Sequence, residues 1–388
     1  MQPEVRMARY VEALTRWGQG HLTCIEAAEL LGISERHFRR LRDRYEAEGA
    51  EGLIDKRRGR KSGRSAATDQ LEFVVEQFCT RYFDFTVKHF HEALCTEFGF
   101  NLSYTWTKTL LQKRGLVRVS TKRSAHRKKR PRRPLPGMML FQDGSMHEWL
   151  ADQPPLDLIV TLDDATSEIY SIFLVEEEGT MSSFRGLHEA IAKKGLFSSF
   201  YTDRGSHYFE TPTAGGKVDR SRPTQVGRAL EELKIEHIAS YSPEGRGRME
   251  RAFGTLQKRL PPILRLAQIT SLEAANRYLA EHYIHEHNAR FAVQAAEEGD
   301  AFVPFAGNLR DILCIRYERI VTNDNCVRYD KRILQIPEQR HRRHFVKARV
   351  QVHEYPDGTL AIFHGPRKLA EYESDGSLKT GNTVRSAA

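Results

Sequence analysis

The sequence predicts a multidomain chain in which all-α units precede a mixed α/β core and a small C-terminal β-barrel. Within the first 116 residues, helix-capping residues precede several stretches with the apolar spacing of a helix. Apolar strand runs alternate with helical stretches in the middle of the chain, and short alternating strands with turn residues follow. We expect the boundaries to be 1–60 for the first helical domain, 66–117 for the second, 118–136 for a basic linker, 137–295 for the core and 305–388 for the barrel.

The first helical domain has the pattern of a helix-turn-helix motif. Thr23 and Glu26 have capping-box spacing, Gly32 is suited to end that helix, and Ser34 is suited to cap the next one. The second helix of such a motif lies in the major groove of DNA, although an ordinary helical hairpin with an arginine face is the alternative. The arginines that we expect to contact DNA are Arg36, Arg39, Arg40 and Arg44.

Basic residues are concentrated in the N-terminal third of the chain. Residues 1–136 contain 28 Lys and Arg against 16 Asp and Glu, whereas the whole chain has a net charge of only +9. This asymmetry indicates that the N-terminal part meets a polyanion, most plausibly nucleic acid. We expect phosphate contacts from two basic runs, which contribute Lys56, Arg57, Arg58, Arg60 and Lys61 from the first and Lys128, Lys129 and Arg130 from the second.

The second helical domain repeats the theme with a weaker charge signal. Helical stretches cover residues 70–82, 87–97 and 104–113, and Thr86 and Ser103 precede the last two as caps. We interpret this domain as a second helix-turn-helix unit.

The core is predicted to be a mixed five-stranded sheet covered by helices. The segments MMLFQ, LDLIVTL and EIYSIFLV have the character of three strands, and a helix follows at 180–194. The strand LFSSFYT, a helix at 225–234, the strand EHIAS and a long helix from Pro243 complete the order β-β-β-α-β-α-β-α.

Three carboxylates attract attention in this core. Asp143 is predicted to end the first strand, Asp203 ends the fourth, and Glu250 lies on the final helix. Asp203 alone could be a turn aspartate, because Asp-x-Gly stretches are common loop starts. Three acids that converge would repel one another unless a hard cation such as Mg²⁺ or Mn²⁺ lay among them, and two such ions support phosphodiester chemistry.

The long helix supports this interpretation. Its apolar stripe is predicted to pack on the sheet, while Arg246, Gly247, Gly254 and Gln257 share the side of Glu250. Glycines inside a helix are costly, and their presence favours close approach of something bulky, such as a nucleic-acid backbone. By contrast, the adjacent acids Asp163 and Asp164 lie in a predicted turn, and we interpret them as turn or supporting residues.

The ordered acids and the surrounding segments resemble the Asp-Asp-Glu transposases of the retroviral integrase superfamily, which have an RNase H-like core. The segments YTDRGSHYF, PTQVGRALEELKIEHI and YSPEGRGRMERAFGTLQKRLP are most similar to bacterial insertion-sequence transposases of the ISNCY type. The resemblance implies that Asp143, Asp203 and Glu250 are the catalytic and metal-binding residues. Many relatives have a lysine where this chain has Gly254 or Gln257, so the phosphate contact is expected to pass to Lys258 or Arg246.

The resemblance also implies the reaction and the partners. The protein would bind the terminal inverted repeats of an insertion sequence, cleave the element ends and join their 3′-hydroxyls to target DNA, with two Mg²⁺ or Mn²⁺ ions in each site. Pairing two ends implies a homodimer or higher oligomer on double-stranded DNA. The alternatives are a catalytically inactive, transposase-derived DNA-binding regulator and an RNase H-like nuclease of RNA hybrids.

The remaining composition predicts an intracellular protein, and the resemblance implies a bacterial cytoplasmic protein that associates with the nucleoid. The five cysteines are odd in number and scattered, which favours reduced thiols over disulfides or a zinc site. No signal peptide opens the sequence, and no apolar run is long enough to span a membrane. In the C-terminal barrel, the valines from Val346 to Val352 alternate with polar residues and YPDG forms the expected hairpin turn.

Overall fold

A computed structural model of the chain describes residues 3–54, 67–119, 130–213, 216–339 and 342–379. The chain divides into two compact units, Met1–Phe73 and Val74–Ala388. The basic residues Lys56, Arg57, Arg58, Arg60, Lys61, Lys128 and Lys129 lie outside the described residues. Among the described residues, no helix is long and apolar enough to cross a membrane, and the five cysteines are free thiols.

The first unit contains the predicted helix-turn-helix arrangement. Helix α1 spans Pro3–Gly18, α2 spans Cys24–Leu31 and α3 spans Glu35–Glu48. The capping box is confirmed, because the Thr23 amide donates to Glu26 Oε2 at 2.8 Å and the Glu26 amide donates to Thr23 Oγ1 at 3.3 Å. Gly32 ends α2 with a φ of 64°, a conformation that favours glycine.

Three further helices form the second helical region. They are α4 at Thr68–Thr80, α5 at Val87–Phe98 and α6 at Tyr104–Lys113. Thr86 and Ser103 accept hydrogen bonds from the amides of His89 and Trp106, as the sequence predicted. Aromatic side chains, including Phe78 and Phe90 in an edge-to-face contact, fill the space between α4 and α5.

The core contains the predicted mixed five-stranded sheet. Its strands are β1 (Leu140–His147), β2 (Leu156–Asp163), β3 (Ile169–Val175), β4 (Ser199–Thr202) and β5 (Glu236–Ala239). The strand order is β3-β2-β1-β4-β5, with β1 antiparallel to β2 and parallel to β4. This order confirms the predicted RNase H-like core and places the chain segments that follow β1 and β4 at the same edge of the sheet.

Helices cover both faces of this sheet. Helices α7 (Thr180–Lys194) and α8 (Gln225–Glu232) share one apolar core with Leu140. Helix α9 (Pro243–Leu266) shares the other core with Phe141. Helix α10 (Leu272–Tyr278) packs on that second face and continues through a π turn at Leu279–Tyr283 into α11 (Ile284–Phe291). Adjacent residues of β1 therefore serve opposite cores, as the two-residue period of a strand requires.

One expectation about β1 is wrong. Asp143 does not end this strand, because β1 continues to His147 through pairing with β2 along its whole length. The parallel pairing with β4, however, involves only Leu140 and Phe141 of β1. The β1–β4 pairing is this short because β4 ends at Thr202. Asp143 therefore lies just beyond the point where β1 loses its second neighbour.

Ion pairs join the second helical region to the core. Glu92 of α5 accepts from Arg259 of α9 and from Arg290 of α11, the latter at 2.9 Å. Arg265 of α9 donates to both carboxylate oxygens of Asp84 at 2.7 Å. Arg259 is only 7% exposed, so its pairing with Glu92 compensates a buried charge. Helix α9 thus contacts both the sheet and the helical region.

The C-terminal part is an antiparallel β-structure with buried apolar residues between its strands. A short helix α12 (Leu309–Ile312) precedes β6 (Ile315–Ile320), β7 (Cys326–Tyr329), β8 (Arg332–Gln335), β9 (Arg349–Glu354), β10 (Leu360–His364) and β11 (Arg367–Tyr372). A four-stranded sheet has the order β11-β10-β9-β6, and β7 pairs with β8. The hairpin turn at YPDG is confirmed by the bond from the Gly358 amide to the Tyr355 carbonyl.

The predicted alternation from Val346 is shortened in the structure. Strand β9 begins only at Arg349, because Lys347 has a φ of 61° and so cannot continue an extended strand. The buried valines of the strand are Val350 and Val352.

Candidate active site

Asp203 follows β4 directly and is held in a tight turn. Its Oδ1 accepts a hydrogen bond from the Gly205 amide at 2.8 Å. A Cβ at Gly205 would stand only 3.0 Å from that oxygen, so glycine permits the close turn. The turn thus keeps one carboxylate oxygen of Asp203 bound to the loop backbone. The Asp-x-Gly pattern has a turn function here, and this function coexists with the position at the sheet edge.

Asp143 lies beyond the end of the β1–β4 pairing and forms an ion pair with Arg246 of α9. Its side chain is 13% exposed. Burial raises the pKa of Asp143 from its ordinary value of 3.8 to about 6. The Arg246 guanidinium opposes this rise, while the carboxylates of Glu178 and Asp203 add to it. The carboxylate of Asp143 therefore lies in a region of accumulated negative charge.

Glu250 is brought to this region by the packing of α9. Met249 and Phe253 are buried against the sheet, whereas Glu250 lies on the exposed side of the helix. Two polar contacts hold that side close to β1, namely the Arg246–Asp143 ion pair and the bond from Gln257 Nε2 to Ser145 Oγ at 3.0 Å. Glu250 lies between these two contacts along the helix.

The surface beside Glu250 is open. Apart from the backbone of the helix itself, no atom of the described residues lies within 4 Å of a Cβ placed on Gly247 or on Gly254. The two glycines are therefore not required for packing within the chain. Lys258 is exposed further along the same helix.

Arg246 is the group on which all three predicted acids act. Burial alone would lower the pKa of Arg246, but the carboxylates of Asp143, Asp203 and Glu250 outweigh burial and raise it. Within the described residues, no group of three or more His, Cys, Asp or Glu side chains is arranged so that it could hold a metal ion. The three acids thus share a guanidinium but do not form a ligand cluster in this arrangement.

The sequence analysis missed a further acid, Glu178. Its Oε2 would stand 2.3 Å from a Cβ placed on Gly144, so the glycine after Asp143 allows the carboxylate to approach β1. Its Oε1 lies 3.5 Å from His207 Nε2 and 3.5 Å from the Tyr208 hydroxyl. The order of strands could have predicted this position. Strand β3 is parallel to β1, so Glu178, which follows β3, reaches the same sheet edge.

A hydrogen-bond network supports the strands behind this edge. The Tyr208 hydroxyl donates to Gln142 Oε1 at 3.0 Å, and Gln142 Nε2 donates to Thr161 Oγ1 at 2.9 Å. The network links the loop that carries Asp203 to the strands β1 and β2. It fixes the residue immediately before Asp143.

Asp163 and Asp164 are fully buried and have structural partners, as their predicted supporting role requires. Asp163 accepts from the amides of Gly137 and Thr166 at 2.8 and 2.9 Å. Asp164 pairs with Arg248 at 2.5 Å and with Arg130. The guanidinium of Arg130, predicted to contact DNA, is therefore engaged within the chain.

The predicted DNA contacts of the first unit that fall among the described residues lie on one helix. Arg36, Arg39, Arg40 and Arg44 are exposed on α3, the second helix of the helix-turn-helix motif. Arg39 forms an ion pair with Glu35 one turn earlier. Exposed pairs of this kind contribute little to stability, so Arg39 can exchange its partner for a phosphate at low cost.

Comparisons with known proteins identify relatives of the chain. A family model described as a helix-turn-helix domain matches residues 11–61. A Sinorhizobium fredii (strain NBRC 101917 / NGR234) protein named as a transposase, y4bF, is 31% identical over 356 residues, which cover 91% of this chain and 77% of the relative. The transposase for insertion sequence IS1202 of Streptococcus pneumoniae is 25% identical over 363 residues, covering 85% of this chain and 78% of the relative.

Two solved structures are similar over part of the chain. The HTLV-2 integrase catalytic core domain in complex with magnesium, in its dimeric form, is 17% identical with a TM-score of 0.29 and covers 37% of this chain and 83% of that one. The simian T-cell lymphotropic virus intasome in complex with the PP2A regulatory subunit B56 gamma is 15% identical with a TM-score of 0.34, covering 74% of this chain and 93% of that one.

The raised pKa of Asp143 predicts a pH dependence of stability in the metal-free chain. The folded protein holds this proton up to pH about 6, whereas the unfolded chain releases it near 3.8, so stability falls as the pH rises between these values. The free energy of urea unfolding, measured with a chelator present, should be compared between the wild type and Asp143→Asn. From pH 4 to pH 7 the wild type should lose roughly 2 kcal/mol of stability relative to the variant. A difference that stays constant or moves in favour of the wild type would contradict the assignment.

Proposed function

The chain belongs to the transposase family of its curated relatives, and on that premise we propose that it cleaves the ends of an insertion sequence and joins them to target DNA by metal-dependent phosphodiester transfer. The observation that carries this proposal is the convergence of Asp143, Asp203 and Glu250 on one guanidinium. The acids come from a strand, a loop and a helix that are far apart in the sequence. A surface with no role in chemistry has no need for this convergence.

Among the described residues the three acids do not form a ligand cluster in this arrangement, but their carboxylate oxygens are the donor type that a hard divalent cation takes. Carboxylate oxygens are the ligands that Mg²⁺ and Mn²⁺ prefer, and a cation would compensate the negative charge of the three acids. We propose that Asp143, Asp203 and Glu250 hold two such ions. When bound, divalent ions lower the pKa of an attacking hydroxyl or water and stabilise charge on the leaving oxygen.

The chain's own residues position the reactants. The full-length β1–β2 register fixes Asp143, the Gly205 turn fixes Asp203, and the buried stripe of α9 fixes Glu250. The open surface at Gly247 and Gly254 gives a DNA backbone access to Glu250. Lys258 and Arg246, on the same helix, supply positive charge for the phosphates.

The helical units are proposed to bind the terminal inverted repeats. In helix-turn-helix proteins the second helix enters the major groove, and α3 carries the exposed arginines at this position. Phosphate contacts orient the protein, while base contacts read the sequence. Because two ends must be joined in one event, we propose that the active form is a homodimer or a larger homo-oligomer on DNA.

Replacing each proposed ligand should abolish chemistry and spare DNA binding. Asp143→Asn, Asp203→Asn and Glu250→Gln preserve size but remove the negative charge that a cation needs, so each should lower the rate of end joining by roughly a thousandfold or more. The measurement is a joining assay with duplexes that carry the element ends, together with a binding assay on the same duplexes. Glu273→Gln, an exposed acid at the start of α10, is the matched control and should retain full activity.

Near-normal end joining by Asp203→Asn or Glu250→Gln would contradict the proposed active site. A wild-type chain that binds element ends but never joins them, in Mg²⁺ or Mn²⁺, would favour the alternative of a DNA-binding regulator.

Exposed arginines of α3 should dominate recognition of the ends. Arg36→Ala or Arg40→Ala in the full chain should weaken end binding, because each removes a charged contact to phosphate or base. If the contact is to phosphate, the slope of log affinity against log salt should fall by about one. The measurement is the salt dependence of binding to end and random duplexes, and unchanged affinity for both in the two variants would contradict this role of α3.

A further inference from the structure

Arg246 forms the ion pair that joins α9 to the acids of the sheet edge. It contacts Asp143 directly, and it lies one helical turn before Glu250 on the same face. Its side chain is 32% exposed, so Arg246 remains accessible to solvent while it pairs with Asp143. The guanidinium of Arg246 therefore lies beside Asp143, where the proposed function requires a metal cation.

Neighbouring arginines do not share this position. Arg248, two residues later on α9, is engaged by Asp164 and by the Arg130 carbonyl at 2.7 Å. Arg259 is engaged by Glu92. Each of these arginines neutralises an acid away from the proposed site, whereas Arg246 pairs with an acid that we assign to the metal.

From this arrangement we propose that Arg246 is a built-in counter-cation, which neutralises the acids in the metal-free chain and must leave Asp143 when a divalent ion binds. The inference rests on the proposed function. The guanidinium contacts one oxygen of Asp143, and two cations at one carboxylate repel each other. The guanidinium and the ion therefore compete for Asp143.

The displaced side chain has a place to go. Gly247, the next residue, has open space where a Cβ would stand, and the Arg246 side chain is already partly exposed. A fork of N–H donors suits a phosphate as well as it suits a carboxylate. Once released, Arg246 can bind a DNA phosphate beside the ions, so that the same residue prevents repulsion before assembly and contacts substrate afterwards.

The test is Mn²⁺ binding to the full chain without DNA, measured by the electron paramagnetic resonance signal of free Mn²⁺. Arg246→Gln removes the competing charge and should bind Mn²⁺ roughly tenfold more tightly than the wild type, since a nearby opposite charge shifts a carboxylate's affinity for a proton by about that factor or more. Arg246→Lys keeps the charge and should stay within about twofold of the wild type. Arg251→Gln, an exposed arginine on the same helix, is the control and should leave the affinity unchanged.

Thermal unfolding gives a second readout that reveals any folding defect. Without metal, Arg246→Gln should melt at a lower temperature than the wild type because the acids lose their partner. Saturating Mn²⁺ should raise its melting temperature by more than it raises that of the wild type.

The outcomes separate this inference from the proposed function. If the wild type binds Mn²⁺ through Asp203, as loss of binding in Asp203→Asn would indicate, but Arg246→Gln binds it with equal or weaker affinity, the counter-cation role is wrong and the metal site stands. If the wild type and Asp203→Asn bind Mn²⁺ identically, the proposed metal site itself is wrong.

Discussion

The packing of α9 across the sheet edge is the constraint on which the candidate site depends. A buried stripe on one side of this helix contacts the sheet, and polar contacts at Arg246 and Gln257 hold its other side against β1. Arg259 and Arg265 of the same helix form ion pairs with acids of the second helical region. Without this packing, Glu250 would have no fixed relation to acids more than forty residues away in the sequence.

Local patterns made much of the fold predictable. Capping residues such as Thr23, Thr86 and Ser103 indicate where helices begin. Their side chains accept hydrogen bonds from amides only three residues later in the sequence. The mixed five-stranded sheet was predictable from the order of strands and helices along the chain. Glu250 was recognisable because a stripe of apolar residues defined the opposite face of its helix.

The errors arise where distant partners decide the structure. Strand β1 extends past Asp143 because it pairs with β2 there, whereas β4 ends early. The residues of β1 alone do not predict either feature. Glu178 was missed because its role depends on the contact with Gly144 from another strand. Likewise, the ion pairs of Arg130 and Arg246 join residues over 30 and over 100 positions apart, and sequence patterns within one helix or linker cannot predict them.

The central claim is that Asp203 binds the metal that carries the chemistry, and a change of ligand tests it most directly. A thiolate binds Mg²⁺ poorly but binds softer ions such as Mn²⁺ and Cd²⁺ better. End joining by Asp203→Cys should therefore be lost with Mg²⁺ and restored in part when Mn²⁺ or Cd²⁺ replaces it, whereas Asp203→Asn should stay inactive with every ion. Joining by Asp203→Cys at the wild-type rate in Mg²⁺ would contradict direct ligation by this residue.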